Sequence, residues 1–323
     1  MKTAIITGVR GQDGSYLSDI LLARGYKVIG VARRSGSPDN WRIEHLRDNK
    51  NFILEFGDVT DSGNMRRLIQ SHSPDEFYHL AAQSFVGVSW SEPIHTSNAT
   101  GLATLVCLEA LRDTKPDTKF YNAASSEMFG RVLEPIQSEK TPFNPISPYA
   151  AAKCFGFHCT KIYRESYGMF ACNGILFNHE SERRGLEFVT RKITDGVARI
   201  ASGKAASIAL GNLDSERDWG HAADYCEAMA AMLSHTCPDD YVVATGEKHT
   251  IREFLSIAFS RVGLDWRQYV TYDERFSRPN DVTTLCGNAT KAKNTLSWSP
   301  QYSFVDLVNS MVDADIKRHK NAS

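Results

Sequence analysis

The sequence predicts an α/β protein, a doubly wound parallel sheet with a smaller α/β substrate domain towards the C-terminus. Three observations predict it. Short apolar runs alternate with helical patterns through the first half of the chain, the first of these runs ends in a glycine-rich turn, and Tyr149 and Lys153 stand four residues apart beyond a later strand.

The first run, residues 3–7, suits a buried parallel strand. It leads into Gly8-Val9-Arg10-Gly11-Gln12-Asp13-Gly14, then into a helical pattern carried by Tyr16, Leu17, Ile20, Leu21 and Leu22, then into a second strand over residues 27–31. Glycines in such a turn let the backbone approach a pyrophosphate, and the helix N-terminus adds amide donors and a favourable dipole. The Gly-x-x-Gly-x-x-Gly spacing is one residue away from the commoner fingerprint. Its strand, helix and strand frame makes it a Rossmann-type dinucleotide turn.

Further strands are expected over residues 52–56, 76–80, 119–123, 171–177 and 241–245. Helices are expected over 65–70, about 96–111, the segment holding Tyr149, and about 222–233. Repeated units of this kind imply right-handed crossovers. After Phe177 comes the polar stretch Asn178 to Gly185 and a less regular pattern, with residues 251–262 and 304–316 as helices of the second domain. The chain is therefore expected to cross the domain boundary more than once. Residues 1–178 plus about 218–246 would form the nucleotide-binding domain, and about 179–217 plus 247–323 the other.

Composition excludes several classes. Over 323 residues the net charge is -1, with Lys and Arg spread along the chain, so neither nucleic acid nor a membrane surface is expected as a partner. No apolar span is long enough for a membrane helix, and a cytoplasmic location is expected. The seven cysteines form no Cys-x-x-Cys pair, and the histidines lack metal-ligand spacing; His179-Glu180 has no second histidine of a zinc helix. No metal is expected.

The residues point to hydride-transfer chemistry on a nucleotide-bearing substrate. Tyr149 and Lys153 share one helix face, where an ammonium favours a phenolate and so makes a base. Ala124-Ser125-Ser126-Glu127 leaves a strand at its carboxyl end, the edge where open α/β sheets bind ligands. An acidic residue after the second strand would select NAD, but the chain has Arg33-Arg34-Ser35; two guanidinium groups suit the 2′-phosphate of NADP, with a solvated basic loop as the alternative. Asp58 can accept from an adenine amino group, and the small residues Ala81-Ala82-Gln83-Ser84 let a cofactor lie close. Lys192, Arg217 and Arg278 supply cationic forks for a diphosphate, and Asp281 an acceptor for a guanine edge or ribose.

Taken together, the glycine turn, Asn98 with Gly101, Ser125 and Tyr149-x-x-x-Lys153 resemble the extended short-chain dehydrogenase/reductase superfamily of nucleotide-sugar enzymes. More narrowly, Thr7 to Leu17, Arg33-Arg34-Ser35, Arg42 to Leu46, Gly174 to Ser181, Phe188 to Lys192 and Arg217 to Gly220 resemble the GDP-mannose 4,6-dehydratase family. The resemblance implies an NADP-dependent lyase acting on GDP-mannose. In that reaction C4 is oxidised, water is lost across C5 and C6, and the hydride returns to C6. It implies Ser125, Glu127, Tyr149 and Lys153 as catalytic residues, with Tyr149 the base for O4, Glu127 the acid/base at C5 and C6, and Ser125 bonded to O4.

Cofactor contacts are implied for Gly8, Gly11, Gln12, Asp13, Arg33, Arg34, Ser35, Asp58, Val59, Leu80, Ala82, Ser84, Tyr149, Lys153, His179 and Arg184. Substrate contacts are implied for Ser84, Ser126, Asn178, Lys192, Arg217, Arg278 and Asp281. A homo-oligomer, dimer or tetramer, is implied as well, with the loop from Arg33 reaching a neighbouring subunit. The chain departs from the family's pattern at Ala124-Ser125, where Ser-Thr is usual, at Arg10, where threonine is usual, and at Glu182 and His95. An epimerase or reductase on a related GDP-sugar would share Tyr149 and Lys153 but has no need of Glu127, and a nucleotide-sensing protein would need none of the four.

Overall fold

The computed structural model describes residues 1–36, 39–276, 282 and 284–321. Its centre is a seven-stranded sheet: β1 Thr3–Thr7, β2 Lys27–Ala32, β3 Phe52–Phe56, β4 Glu76–His79, β5 Lys119–Ser125, β6 Ala171–Leu176 and β7 Asp240–Val243, in the order β3-β2-β1-β4-β5-β6-β7. Every pairing within it is parallel. The order reverses between β1 and β4, so that point is where the carboxyl ends open a crevice.

Both faces of the sheet are covered, which is why its strands are apolar without alternation. Successive side chains point to opposite faces. Ile5 and Phe120 accordingly join a core with Met65, Leu68 and Leu108, whereas their neighbours Ile6 and Tyr121 join another with Leu17, Leu21 and Met229. The first core lies under α2 Ser62–His72 and α3 Ala103–Thr114, and the second under α1 Gln12–Ala23 and α6 Ala222–Ser234.

α4 Pro148–Tyr167 is built to start and stop where it does. Ser147 caps it by accepting from Ala150 N at 3.1 Å, Pro148 occupies the first turn, and Gly168 ends it at φ +67°. The helix expected from about residue 96 is instead a short turn Pro93–Thr96, a wide π turn Ser97–Leu102, and then α3. Gly101 in the wide turn lets α4 approach closely, since a Cβ there would lie 3.1 Å from Ala152 O. That contact seats the helix carrying Tyr149 and Lys153.

A third core joins α5 Val189–Ala201, α7 Ile251–Ser260 and α8 Phe304–Asn321 through Ile193, Val197, Phe254, Phe259, Leu307 and Met311. Inside it the Arg191 guanidinium forks onto Asp315, at 2.8 Å from Nε to Oδ2 and 2.7 Å from Nη2 to Oδ1. α5 is not anticipated by the sequence reading, which finds no regular pattern there. Leu285, Ala292 and Trp298, although late in the chain, pack in the core of the main sheet. Buried Asp218 ties the crossings together: it accepts from Thr245 N at 2.8 Å, Gly246 N at 2.9 Å and Gly287 N at 3.1 Å.

Candidate active site

At the switch point Gly8 adopts φ +72°, and a Cβ there would stand 2.9 Å from Ala81 N. Only glycine combines that conformation with so close an approach of the β4 exit. Gly14 is constrained in a second way, since its Cβ would meet Gly8 O and Val9 Cα at 2.6 Å. Thr7 Oγ1 accepts from Leu80 N at 3.1 Å and Ala81 N at 3.2 Å, and lies 3.1 Å from His79 Nδ1. Burial drives the His79 pKa down to about 3. The ring is therefore neutral, and its Nδ1 shares a hydrogen bond with the Thr7 hydroxyl. This network sets the course of Leu80, Ala82 and Ser84, which line a cavity of about 890 Å³.

The same cavity receives Ser125 and Ser126 from the end of β5, Glu127 from the turn that follows, and Tyr149 and Lys153 from α4. Ser125 Oγ accepts from Glu127 N at 3.2 Å, which orients the turn and brings both polar side chains to one wall. Lys153 Nζ donates to Ala123 O at 2.6 Å and lies 5.7 Å from the Tyr149 ring centre. The expected lowering of the Tyr149 pKa by Lys153 is not what this arrangement produces. Burial pushes the phenol up to about 12, a hydrogen bond with Ser125 pulls it down, and the Glu127 charge pushes it up. Burial likewise lowers Lys153 to about 8, with Asp13 opposing. One of its three N–H donors is given to the β5 carbonyl.

Asp13 and His179, 166 residues apart, meet at 2.9 Å on the cavity wall. His179 Nδ1 faces Phe177 O at 2.7 Å, so both ring nitrogens face acceptors and the imidazolium is favoured. Burial works against charge on either partner, yet the pair holds Asp13 down at about 2 and His179 above its ordinary value. Gln12 completes the cluster, donating to His179 O at 3.0 Å and accepting from Ser181 Oγ at 2.8 Å. Arg184 pairs with Glu180 at 3.1 Å and lies over the Phe188 ring at 3.5 Å.

Further out along the cavity are Asn178, Lys192 and Arg217. Asn178 Oδ1 is enclosed and has no hydrogen-bond partner among the described residues. Lys192 Nζ sits 3.2 Å from the Phe276 ring centre, and Arg217 donates to Glu216 O at 2.9 Å. Arg278 and Asp281 lie outside the described residues. The sequence reading missed Phe188, Thr190, Ser215 and Phe276, which also line this end. Phe188 and Thr190 fall inside the resembling stretch Phe188 to Lys192, the one available signal.

Gly8, Gly11 and Gln12 form the turn between β1 and α1 and do not themselves line the cavity, and neither do Arg33, Arg34 and Ser35, which follow β2 and are exposed. Asp58 accepts from Thr60 N at 2.9 Å and Thr60 Oγ1 at 2.7 Å, and next to it Val59 is buried. Arg34 lies 5.9 Å from the Phe56 ring centre.

A parallel sheet of this order, a glycine turn at its switch point and a strand-end serine beside a Tyr/Lys helix define an extended short-chain dehydrogenase/reductase fold. Over 99% of the chain and 98% of the other, it superimposes with a TM-score of 0.88 and 20% identity on dTDP-glucose 4,6-dehydratase from Bacillus anthracis, a structure in complex with NAD. The chain belongs to the GDP-mannose 4,6 dehydratase family, which matches residues 5–311. It is 51% identical to GDP-mannose 4,6 dehydratase 2 of Arabidopsis thaliana, over 99% of this chain and 88% of that protein. It is 45% identical to GDP-mannose 4,6-dehydratase of Vibrio cholerae, over 98% and 94%.

Proposed function

We propose that the protein is an NADP-dependent hydro-lyase that converts GDP-mannose to GDP-4-keto-6-deoxy-mannose. The observation that carries this reading is Glu127 at the cavity wall shared by Ser125, Tyr149 and Lys153. Oxidation at a carbinol needs only a base; removal of the C5 proton and departure of the C6 hydroxyl need a second proton-transfer group. In this reading Tyr149 takes the O4 proton as a phenolate, a form that the positive charge of a bound oxidised nicotinamide would favour; Ser125 shares a hydrogen bond with O4, and Lys153 braces the ribose side. Glu127 takes the C5 proton and gives it to the leaving hydroxyl, which departs as water; when hydride returns to C6, C5 regains the proton first taken from O4. Asn178, Lys192 and Arg217 hold the diphosphate end.

The residues fit a nicotinamide dinucleotide. Gly8 takes a positive φ where a Cβ would strike Ala81, and enclosed guanidinium nitrogens of Arg10 have no partner among the described residues. When bound, that cofactor would supply the hydride acceptor for C4 and the hydride donor for C6. Arg33 and Arg34 favour NADP over NAD. Residues 1–178 with about 218–246 serve the cofactor, and about 179–217 with 247–323 serve the sugar nucleotide.

The protein works as a homo-oligomer, a reading supported by Phe155 and Ile162, seven residues apart on α4, and Leu102 in the wide turn packed on that helix, which are 46%, 52% and 46% exposed. Among the described residues no helix is long and apolar enough to cross a membrane, and all seven cysteines are free thiols, which agrees with a cytoplasmic location. Incubation with GDP-mannose and a trace of NADP⁺, followed by NMR, should convert the C6 hydroxymethyl to a methyl without net NADPH. An unchanged C6, or stoichiometric NADPH, contradicts the assignment.

A further inference from the structure

Arg10 stands in the glycine turn where the family's usual residue is threonine, and its side chain does not follow the turn towards the cavity. It crosses instead to the end of β2, where Nη1 donates to Arg33 O at 3.0 Å. Its Cζ lies 5.7 Å from the Phe56 ring centre, and that of Arg34 lies 5.9 Å from the same ring. Arg10 and Arg34 thus share one aromatic platform at the last residue of β3. The backbone of Arg10 is held as well, its carbonyl accepting from Arg42 Nη1 at 3.3 Å.

Two features make this a ligand site rather than a structural contact. Nε and Nη2 of Arg10 are enclosed and have no hydrogen-bond partner among the described residues. Buried donors are ordinarily satisfied, and a guanidinium fork matches phosphate oxygens in pairs. In addition, the guanidinium groups of Arg10 and Arg34 gather on Phe56, where no carboxylate of the described residues forms an ion pair with either, while Arg33 acts on the nearby Asp58 carboxylate. Two like charges so arranged repel one another unless an anion lies between them.

We propose that Arg10 is a specificity-determining residue of this chain, the third guanidinium of a site that takes the 2′-phosphate of the cofactor. It ties the Arg33–Arg34 segment to the glycine turn through the Arg33 carbonyl and presents its unpaired donors to the dianion when that segment shifts to admit it. The inference rests on the NADP reading above and adds to it a residue outside the Arg33-Arg34-Ser35 string.

The test is direct binding. Dissociation constants of NADP⁺ and NAD⁺ are measured by calorimetry on the full chain freed of nucleotide, for wild type, Arg10→Thr and Arg10→Lys. Loss of a bidentate, charge-assisted contact should weaken NADP⁺ about tenfold in Arg10→Thr while NAD⁺ changes less than about twofold. Arg10→Lys, which keeps the charge and loses the fork, should fall between. Equal weakening of both nucleotides, or unchanged NADP⁺ affinity in Arg10→Thr, overturns the proposal while the wild-type preference for NADP⁺ stands. A wild type that binds NAD⁺ as tightly as NADP⁺ instead removes the reading on which it rests, and the proposal with it.

Discussion

Replacing Asp13 by Asn tests whether the candidate site is held together by charge. The Asp13 carboxylate sits 2.9 Å from His179 Nε2, and the pair pulls its pKa from 3.8 to about 2 in spite of burial. That drop corresponds to roughly 2.5 kcal/mol in favour of the folded chain. Because the folded value lies below the unfolded one, the contribution is complete above about pH 4 and is lost as pH falls through 2; about half remains at pH 3. His179 has the opposite sign. Its folded pKa is raised, so its share is complete below about pH 6.5 and is lost as pH rises through the raised value. The pair therefore stabilises most between about pH 4 and 6.5. Urea unfolding of wild type and Asp13→Asn should differ by about 2–3 kcal/mol at pH 5, with the gap narrowing at pH 3 and again in alkali. A gap that is absent at pH 5, or that does not change with pH, refutes the charge-pair account.

Tyr149→Phe should lower kcat by about a hundredfold or more, the usual share of a positioned acid/base group, while GDP-mannose still binds in calorimetry; near-normal turnover removes Tyr149 from the chemistry. Asp218→Ala should cost about 3–5 kcal/mol in urea unfolding, because it strands the amides of Thr245, Gly246 and Gly287 in the interior. A loss below about 1 kcal/mol would mean that water or a rearranged loop takes over those donors.

The main sheet was legible because each strand is a short apolar run closed by a turn, and its buried faces impose that pattern on the residues themselves. The glycine turn was legible for a related reason: Gly8 and Gly14 are required by backbone geometry, which leaves a mark in the sequence. The helix Val189–Ala201 was not found, although Val189, Ile193 and Val197 recur at helical spacing, because Arg191 and Lys192 interrupt the stripe. Arg191 is in fact buried, and partners outside its helix, Asp315 and the carbonyls of Glu182 and Arg184, make that tolerable. The Asp13–His179 pair shows the same limit at the site, since a contact across 166 residues leaves no local pattern. The state of Tyr149 was also out of reach. Spacing puts Lys153 beside it, but the competing acceptor at Ala123 O and the depth of burial belong to the folded chain.

The division of labour between Tyr149 and Glu127 is tested most directly by Glu127→Gln, given GDP-mannose labelled with deuterium at C4 and loaded with NADP⁺. The variant should still remove the C4 label, seen as deuterium entering the bound nucleotide and exchanging between labelled and unlabelled sugar, while NMR finds the C6 hydroxymethyl intact. Methyl formation at the wild-type rate would contradict the account at its centre.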